Sequence, residues 1–238
     1  MCTVSFVPTK EGFVFSSNRD EDVSRAANRL VEQVNESCTL YYPQDELAKG
    51  SWIAFSNTNR FVCILNGAFK PHQRKETYSM SRGIMALSFF DYPSISKFIE
   101  SFEFNGVEPF TLILFDNNEF SELRWDENEL HHKKLALDEV HLWSSCTLYT
   151  TQWWEKRSVE FADFVAQKSP TQQDIIKYHR NKLAFEPLAL QDRIGVSEPL
   201  KGLSIETTSV SSIAQYKKGF SFQFQRMDDS IKLTKVID

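Results

Sequence analysis

The sequence has 238 residues, a formal net charge of -5 and a pI near 5.6, and it contains no long run of Lys and Arg. This acidic composition argues against a nucleic-acid-binding protein, which needs a basic surface to neutralise phosphates. No apolar run approaches the roughly 18 residues of a membrane span, and the first residues lack the basic and apolar parts of a signal peptide. We therefore expect a cytoplasmic protein without a membrane-spanning segment.

The first part of the chain is predicted to form strands. Residues 2–7 and 13–17 predict two strands around a tight turn, and the polar residues 18–28 predict a loop. Apolar residues at 52–55 and 61–65 flank a polar tetrapeptide, which is typical of a hairpin.

The middle of the chain changes from helical to strand patterns. Apolar residues fall at helical spacing from 81 to 104, with a break near Pro93. The continuous apolar run at 110–115 predicts a buried strand, and a polar turn connects it to a second strand at 119–125. Two shorter strands are expected before and after Asp138.

The last third predicts two helices and then strands. Trp153, Phe161 and Val165 lie at helical spacing, and residues 171–176 carry a capping-box pattern that opens a second helix. The predicted C-terminal strands are Leu203–Ile213, Phe220–Phe224 and Ile231–Val236. Tight turns join most strands, so the sheets should be largely antiparallel. We predict one α+β domain over 1–238, and the pattern fits two facing sheets covered by helices as well as it fits a single sheet.

Cys2 is the first candidate for chemistry. If the initiator Met1 is removed, Cys2 carries a thiol and a free α-amine, whose reference pKa values are about 8.5 and about 7.7–8.0. The amine can then take the thiol proton, so that one residue supplies both nucleophile and base. The alternative is a small, semi-buried cysteine without a chemical role. The other cysteines are Cys38, Cys63 and Cys146; the four spacings match no zinc pattern, and we predict free thiols, no metal site and no cofactor.

The tetrapeptide Asn18-Arg19-Asp20-Glu21 is the second candidate, because a hairpin returns the end of the second predicted strand to the neighbourhood of Cys2. An Arg at that position can hold a thiolate or a substrate carboxylate, and a carboxylate can orient the α-ammonium. The alternative is a solvated polar loop with surface salt bridges.

The Met-Cys start followed by Asn18–Glu21 resembles the signature of the NRDE family, the group related to transport and Golgi organisation proteins. Three further segments resemble that family in the expected order: Gly50–Ala54 around Trp52, the pair Leu65-Asn66, and Ser81-Arg82-Gly83. The resemblance is specific over about residues 1–85.

The NRDE family is in turn similar to cysteine-type N-terminal-nucleophile hydrolases. That similarity implies a four-layer α/β/β/α fold with two mostly antiparallel sheets and Cys2 as the nucleophile. If the arginine of the related hydrolases is aligned with Arg19, then Arg19 and Asp20 take the supporting roles, and we favour this alignment. If the strand register is aligned instead, Asn18 and Glu21 take these roles.

The resemblance also suggests residues from the middle of the chain. Asn66 is the candidate oxyanion donor, and the alternative is a turn Asn before Gly67. Trp52 and Arg82 are additional pocket candidates.

Two departures from the related hydrolases bear on activity. Relatives carry an Arg where this chain has Thr208, and the segment Trp143–Tyr149 offers hydroxyls where the hydrolases have a second oxyanion Asn.

These residues lead to two functional hypotheses. The first is an amidohydrolase that cleaves a non-peptide C–N bond of a small N-acyl amide through Cys2. The second is a non-catalytic carrier on the same fold for an apolar ligand such as an acyl chain, a lipid or a haem-like molecule, suggested by the 20 Phe residues and the Thr at 208.

Overall fold

The computed structural model describes residues 2–146, 151–184, 205–217 and 219–237. The strands within these ranges are β1 Thr3–Thr9, β2 Gly12–Asp22, β3 Leu30–Val34, β4 Thr39–Pro43, β5 Ile53–Ser56, β6 Arg60–Asn66, β7 Phe110–Asp116, β8 Glu119–Trp125, β9 Leu130–Lys134, β10 His141–Ser144, β11 Ile205–Tyr216, β12 Gly219–Arg226 and β13 Lys232–Ile237. The α-helices are α1 Arg82–Ser88, α2 Ile95–Ser101, α3 Thr151–Lys168 and α4 Gln172–Asn181.

The chain divides into two compact units. The first comprises residues 1–26 and 137–238, and the second comprises residues 27–136. The prediction of a single domain over 1–238 stays a prediction.

The first unit contains a six-stranded sheet in the order β10-β1-β2-β11-β12-β13, and all of its strand pairs are antiparallel. Helices α3 and α4 cover one face of this sheet, where Phe161 and Ile175 pack on Val7, Val14 and Ala214. Side chains alternate between the two faces of a strand, so the residues between these apolar positions are directed to the opposite face.

The second unit contains a seven-stranded sheet whose order follows the chain from β3 to β9. Its hairpins use residues that tolerate a left-handed backbone: Asn59 joins β5 to β6, and Asn117 with Asn118 joins β7 to β8. Phe side chains form much of its core, with a stacked pair at Phe61 and Phe115.

The predicted fold class, α+β with two mostly antiparallel sheets, is confirmed, and the single-sheet alternative is wrong. The expectation that many of the Phe residues lie inside is also confirmed. Among the described residues, eleven of the twelve largest fully buried side chains are Phe: Phe6, Phe15, Phe55, Phe61, Phe89, Phe98, Phe110, Phe115, Phe161, Phe222 and Phe224.

One predicted element is wrong in a way that matters for the site. Residues 18–28 were expected to form a loop, but β2 continues through Asp22 and is followed by a short 3-10 helix at Val23–Arg25. The strand continues because its polar residues pair with β11, for example Asp20 with Thr207. Tertiary pairing therefore overrides the low strand propensity of Asn and Asp.

The remaining boundaries agree closely with the sequence. The capping box at Thr171 and Asp174 opens α4, and the helical stretch from 81 to 104 breaks before α2 as predicted. The strands β3 and β4 were not predicted. Of the predicted C-terminal strand, Leu203 and Ser204 lie outside the described residues.

Candidate functional site

Cys2 lies immediately before β1 and is held by the segment that follows β10. Its backbone N–H donates to Ser145 Oγ at 2.9 Å, and the Ser145 N–H donates to the Cys2 carbonyl at 3.0 Å. Both residues are buried, and Cys2 is only 3% exposed. The nitrogen of Cys2 is thus held beside the hydroxyl oxygen of Ser145, which lies just after β10 and 143 residues away in sequence.

The pleat of the sheet separates the candidate residues into two faces. Ser5 and Asn18 are directed towards α4, where both contact His179. Val4 pairs with Ser17 on the opposite face, and continuing this register by two residues puts Cys2 across from Arg19. Cys2 and Arg19 therefore lie on the face away from the helices.

Arg19 and Glu21 form a charged cluster on the Cys2 face. Arg19 lies 3.3 Å from Glu21 Oε2, and Arg25 lies 3.2 Å from the same oxygen. Burial alone would raise the pKa of Glu21, but the positive charges of the N-terminus, Arg19 and Arg25 outweigh it, so the pKa is lowered and Glu21 is ionised at neutral pH.

The electrostatics of Cys2 follow from burial and from this cluster. Burial raises the pKa of the Cys2 thiol. The positive charges of the N-terminus and of Arg19 oppose that rise, and the negative charges of Asp20 and Glu21 add to it. The thiol is therefore protonated at neutral pH, and its use as a nucleophile requires a base.

Asp20 is bound to β11. Its Oδ1 accepts a hydrogen bond from Thr207 Oγ1 at 2.5 Å, and the neighbouring Thr208 donates to the Arg19 carbonyl at 3.1 Å. The register shifts between Thr207 and Ser209, so Thr208 is the extra residue of a β-bulge. The position where relatives carry an Arg is thus occupied by a hydroxyl that holds the backbone of Arg19.

Asn18 takes part in a buried network away from Cys2. Its Nδ2 donates to the carbonyls of His179 and Leu183, so its Oδ1 accepts from His179 Nδ1 at 2.7 Å. His179 Nε2 is then unprotonated and accepts from Ser5 Oγ at 2.7 Å. Burial and the nearby charge of Arg157 lower the pKa of His179 to about 3, which agrees with this neutral tautomer.

The other predicted residues lie in the second unit. Asn66 is the last residue of β6, and Gly67 beyond it has a φ of 80°, which places the left-handed turn geometry at the glycine. Trp52 is buried just before β5. Arg82 opens α1 and binds the Glu108 carboxylate at 3.2 Å and the Pro109 carbonyl at 3.1 Å. The oxyanion role of Asn66 stays a prediction.

Two of the sequence segments that carry the family resemblance contact each other in this unit. A Cβ added to Gly50 would lie 2.5 Å from the Gly83 carbonyl carbon, and the Ser51 N–H donates to the Gly83 carbonyl at 3.3 Å. Gly50 is therefore needed for the close approach of the β4–β5 connection to the start of α1.

Three contacts of the candidate residues were not predicted from the sequence: Ser145 at the Cys2 nitrogen, Thr207 at Asp20 and His179 at Asn18. The hydroxyl-rich segment Trp143–Tyr149 was the available signal for Ser145, and its residues 147–149 lie outside those described.

Other kinds of site find no support in the described part of the chain. No group of three or more His, Cys, Asp or Glu side chains there is arranged to hold a metal ion. None of the helices in the described ranges combines the length and apolarity needed to cross a membrane. The four cysteines, all within the described ranges, form no disulfide bonds with one another, as predicted.

The chain is similar in fold to several solved structures. The chain is similar to a variant of conjugated bile acid hydrolase from Clostridium perfringens with an Arg replaced by Leu, at a TM-score of 0.54 and 9% identity over 99% of this chain and 92% of that one. A variant of the same enzyme with a Cys replaced by Ala matches at a TM-score of 0.52 and 9% identity, over 100% of this chain and 92% of that one. The Caenorhabditis elegans orthologue of N-acylethanolamine-hydrolyzing acid amidase matches at 0.49 and 10% identity, over 92% and 98% of the two chains.

The fold is thus that of the N-terminal-nucleophile hydrolases, with a cysteine immediately before the first strand. A model of the Transport and Golgi organisation 2 family matches residues 1–197, and the chain belongs to that family. No curated protein sequence matches the chain.

Proposed function

We propose that this protein is an amidohydrolase that cleaves the non-peptide C–N bond of a small N-acyl amide through Cys2, after removal of Met1. The observation that carries the proposal is the position of the Cys2 nitrogen, 2.9 Å from Ser145 Oγ on a rigid sheet edge. When Met1 is absent this nitrogen is an α-amine on the same carbon as the thiol side chain.

The α-amine serves as the base that the Cys2 thiol requires, because burial raises the pKa of that thiol. It takes the thiol proton as the sulfur attacks the amide carbonyl, and an S–C bond forms. The tetrahedral oxyanion collapses, the C–N bond breaks, and the α-ammonium gives its proton to the departing amine. Water then attacks the thioester, its proton returns through the amine to the sulfur, and the carboxylic acid leaves.

Ser145 acts in this scheme as a positioning residue. Its hydroxyl oxygen accepts a hydrogen bond from the amine and so directs the nitrogen lone pair towards the thiol. Its own N–H fixes the Cys2 carbonyl at 3.0 Å, which leaves the side chain of Cys2 as the mobile part of the residue.

Arg19, Asp20 and Glu21 adjust the charge balance of the site. The Arg19 charge favours the thiolate, and the negative charges of Asp20 and Glu21 favour the α-ammonium that forms with it. The cluster thus stabilises the charge-separated pair rather than the neutral resting state.

A second candidate function is a carrier for an apolar ligand on the same fold. The observation that favours it is the burial of Cys2, since buried thiols with raised pKa values are ordinarily unreactive. The carrier predicts ligand binding that does not depend on the thiol.

The test is hydrolysis of a panel of N-acyl amides by the untagged protein and by Cys2→Ala. We expect Cys2→Ala to lower kcat by at least about 1,000-fold, because the nucleophile is lost. Cys38→Ala is the matched control, since Cys38 is also a buried free cysteine, and it should retain activity. Turnover that survives in Cys2→Ala contradicts the proposal, and equal ligand affinity in both proteins without product favours the carrier.

A further inference from the structure

Two serines on β11 carry buried hydroxyls whose hydrogen-bonding capacity is unused. Ser209 is 1% exposed and Ser211 is 0% exposed. Within the described residues, neither Oγ has a hydrogen-bond partner. Burying a hydroxyl without a partner costs free energy that a chain of this kind ordinarily avoids, so each such group needs an explanation.

The same strand shows that its hydroxyls can be satisfied. Ser212, the residue after Ser211, accepts from Ser16 Oγ at 2.8 Å and from Gln172 Nε2 at 3.3 Å on the helix-covered face. On β11, the two unused hydroxyls therefore lie on the opposite face.

That opposite face is the one that bears Cys2. Ser211 pairs with Ser17 and Ser209 pairs with Arg19, the residue across from Cys2. Ser209 is thus two strand spacings from Cys2 along one row, or about 10 Å.

Charged side chains flank the two serines. Arg19, which is opposite Ser209 on β2, shares the Glu21 carboxylate with Arg25, and Arg226, which is opposite Ser209 on β12, is paired with Asp228 at 2.8 Å. The two hydroxyls carry no charge, and an uncharged group that both donates and accepts would match them.

We infer that Ser209 and Ser211 form a subsite for a hydroxyl group of the substrate, about 10 Å from the carbonyl that Cys2 attacks. This inference rests on the proposed function and deepens it: the substrate class is a neutral N-acyl amide that bears a hydroxyl on an otherwise apolar acyl chain. The apolar neighbours on the same face, Phe15, Ile213 and Phe224, suit such a chain.

The experiment measures binding in the Cys2→Ala protein, so that it does not depend on turnover. Two N-ethyl fatty amides serve as probes, one unsubstituted and one with a hydroxyl on the acyl chain about 10 Å from the amide carbonyl. We expect the hydroxylated amide to bind about tenfold more tightly by calorimetry. Adding Ser209→Ala and Ser211→Ala together should remove this preference and leave the affinity for the unsubstituted amide unchanged.

Ser212→Ala is the matched control, because it removes a hydroxyl from the same strand but from the other face, and it should retain the preference. A stability measurement accompanies the binding data. Removing the unpartnered hydroxyls of Ser209 and Ser211 should leave Tm unchanged or raise it, whereas Ser212→Ala should lower it.

Three results would overturn the inference: failure of the hydroxylated amide to bind, equal affinity for both amides, or a preference that survives the double substitution. Because no thiol is present in this assay, these results are independent of whether Cys2 hydrolyses any amide. If the wild-type protein hydrolyses no amide, the proposed function is contradicted, but the binding preference of the Cys2→Ala protein is still tested.

Discussion

At the scale of single residues, the backbone nitrogen of Cys2 donates to Ser145 Oγ at 2.9 Å, and Cys2 lies across from Arg19, which is paired with Glu21. Cys2 and Arg19 were predicted from two short motifs, and the structure places both on the same face of one sheet. Ser145 was not predicted, because a hydrogen bond between residues 143 positions apart depends on strand pairing that no local pattern shows.

The residue-scale prediction concerns the charges that act on the Cys2 thiol. Arg19→Gln removes a positive charge that lowers the Cys2 pKa, so the pKa should rise further and less thiolate should be present. Glu21→Gln removes a negative charge and should have the opposite effect. At about pH 8, alkylation of Cys2 by iodoacetamide should slow about threefold in the first variant and accelerate by a similar factor in the second.

Peptide mass spectrometry of the same samples provides the control, since alkylation of Cys38 should not change. A shift of the Cys2 rate in the same direction in both variants would mean that altered packing, rather than charge, controls the thiol.

At the scale of elements, the hairpin of β1 and β2 was predicted, but its length was not. The composition of Asn18–Asp22 predicts a loop. The segment is a strand because β11 pairs with it and because His179 on α4 is a buried partner for Asn18. The edge strand β3 was missed because its two polar residues, Glu32 and Gln33, are adjacent and exposed, so that the two-residue alternation is weak.

The buried network of Asn18, His179 and Ser5 should make stability depend on pH. The pKa of His179 is lowered from 6.5 to about 3, so the unfolded chain binds the proton in this window and the folded chain does not. The contribution of His179 to the free energy of unfolding is fully present above about pH 6.5. It is lost as the pH falls towards 3, which lowers the free energy of unfolding by a few kcal/mol in total.

Urea unfolding at about pH 7.5 and about pH 5 measures this contribution. His179→Gln should be about 2 kcal/mol less stable than the wild type at the higher pH, because two buried hydrogen bonds are lost, and its stability should fall less on acidification. Equal pH dependence in His179→Gln and the wild type would contradict the account.

At the scale of the whole molecule, the family and the fold class could be predicted because they depend on motifs near the start of the chain. The family match extends over residues 1–197, well beyond the first 85 residues on which the resemblance was based. The division into two units could not be predicted, because the first unit joins residues 1–26 to residues beyond 136 and only strand pairing reveals that connection.

The central claim is that Cys2 acts as an N-terminal nucleophile, and the intact mass of the untagged protein after brief reaction with an activated acyl ester tests it most directly. The account predicts a mass that lacks Met1 and carries one acyl group, with peptide mapping that places the acyl group on Cys2. A mass that retains Met1, together with Cys2 free of the acyl group, would contradict it.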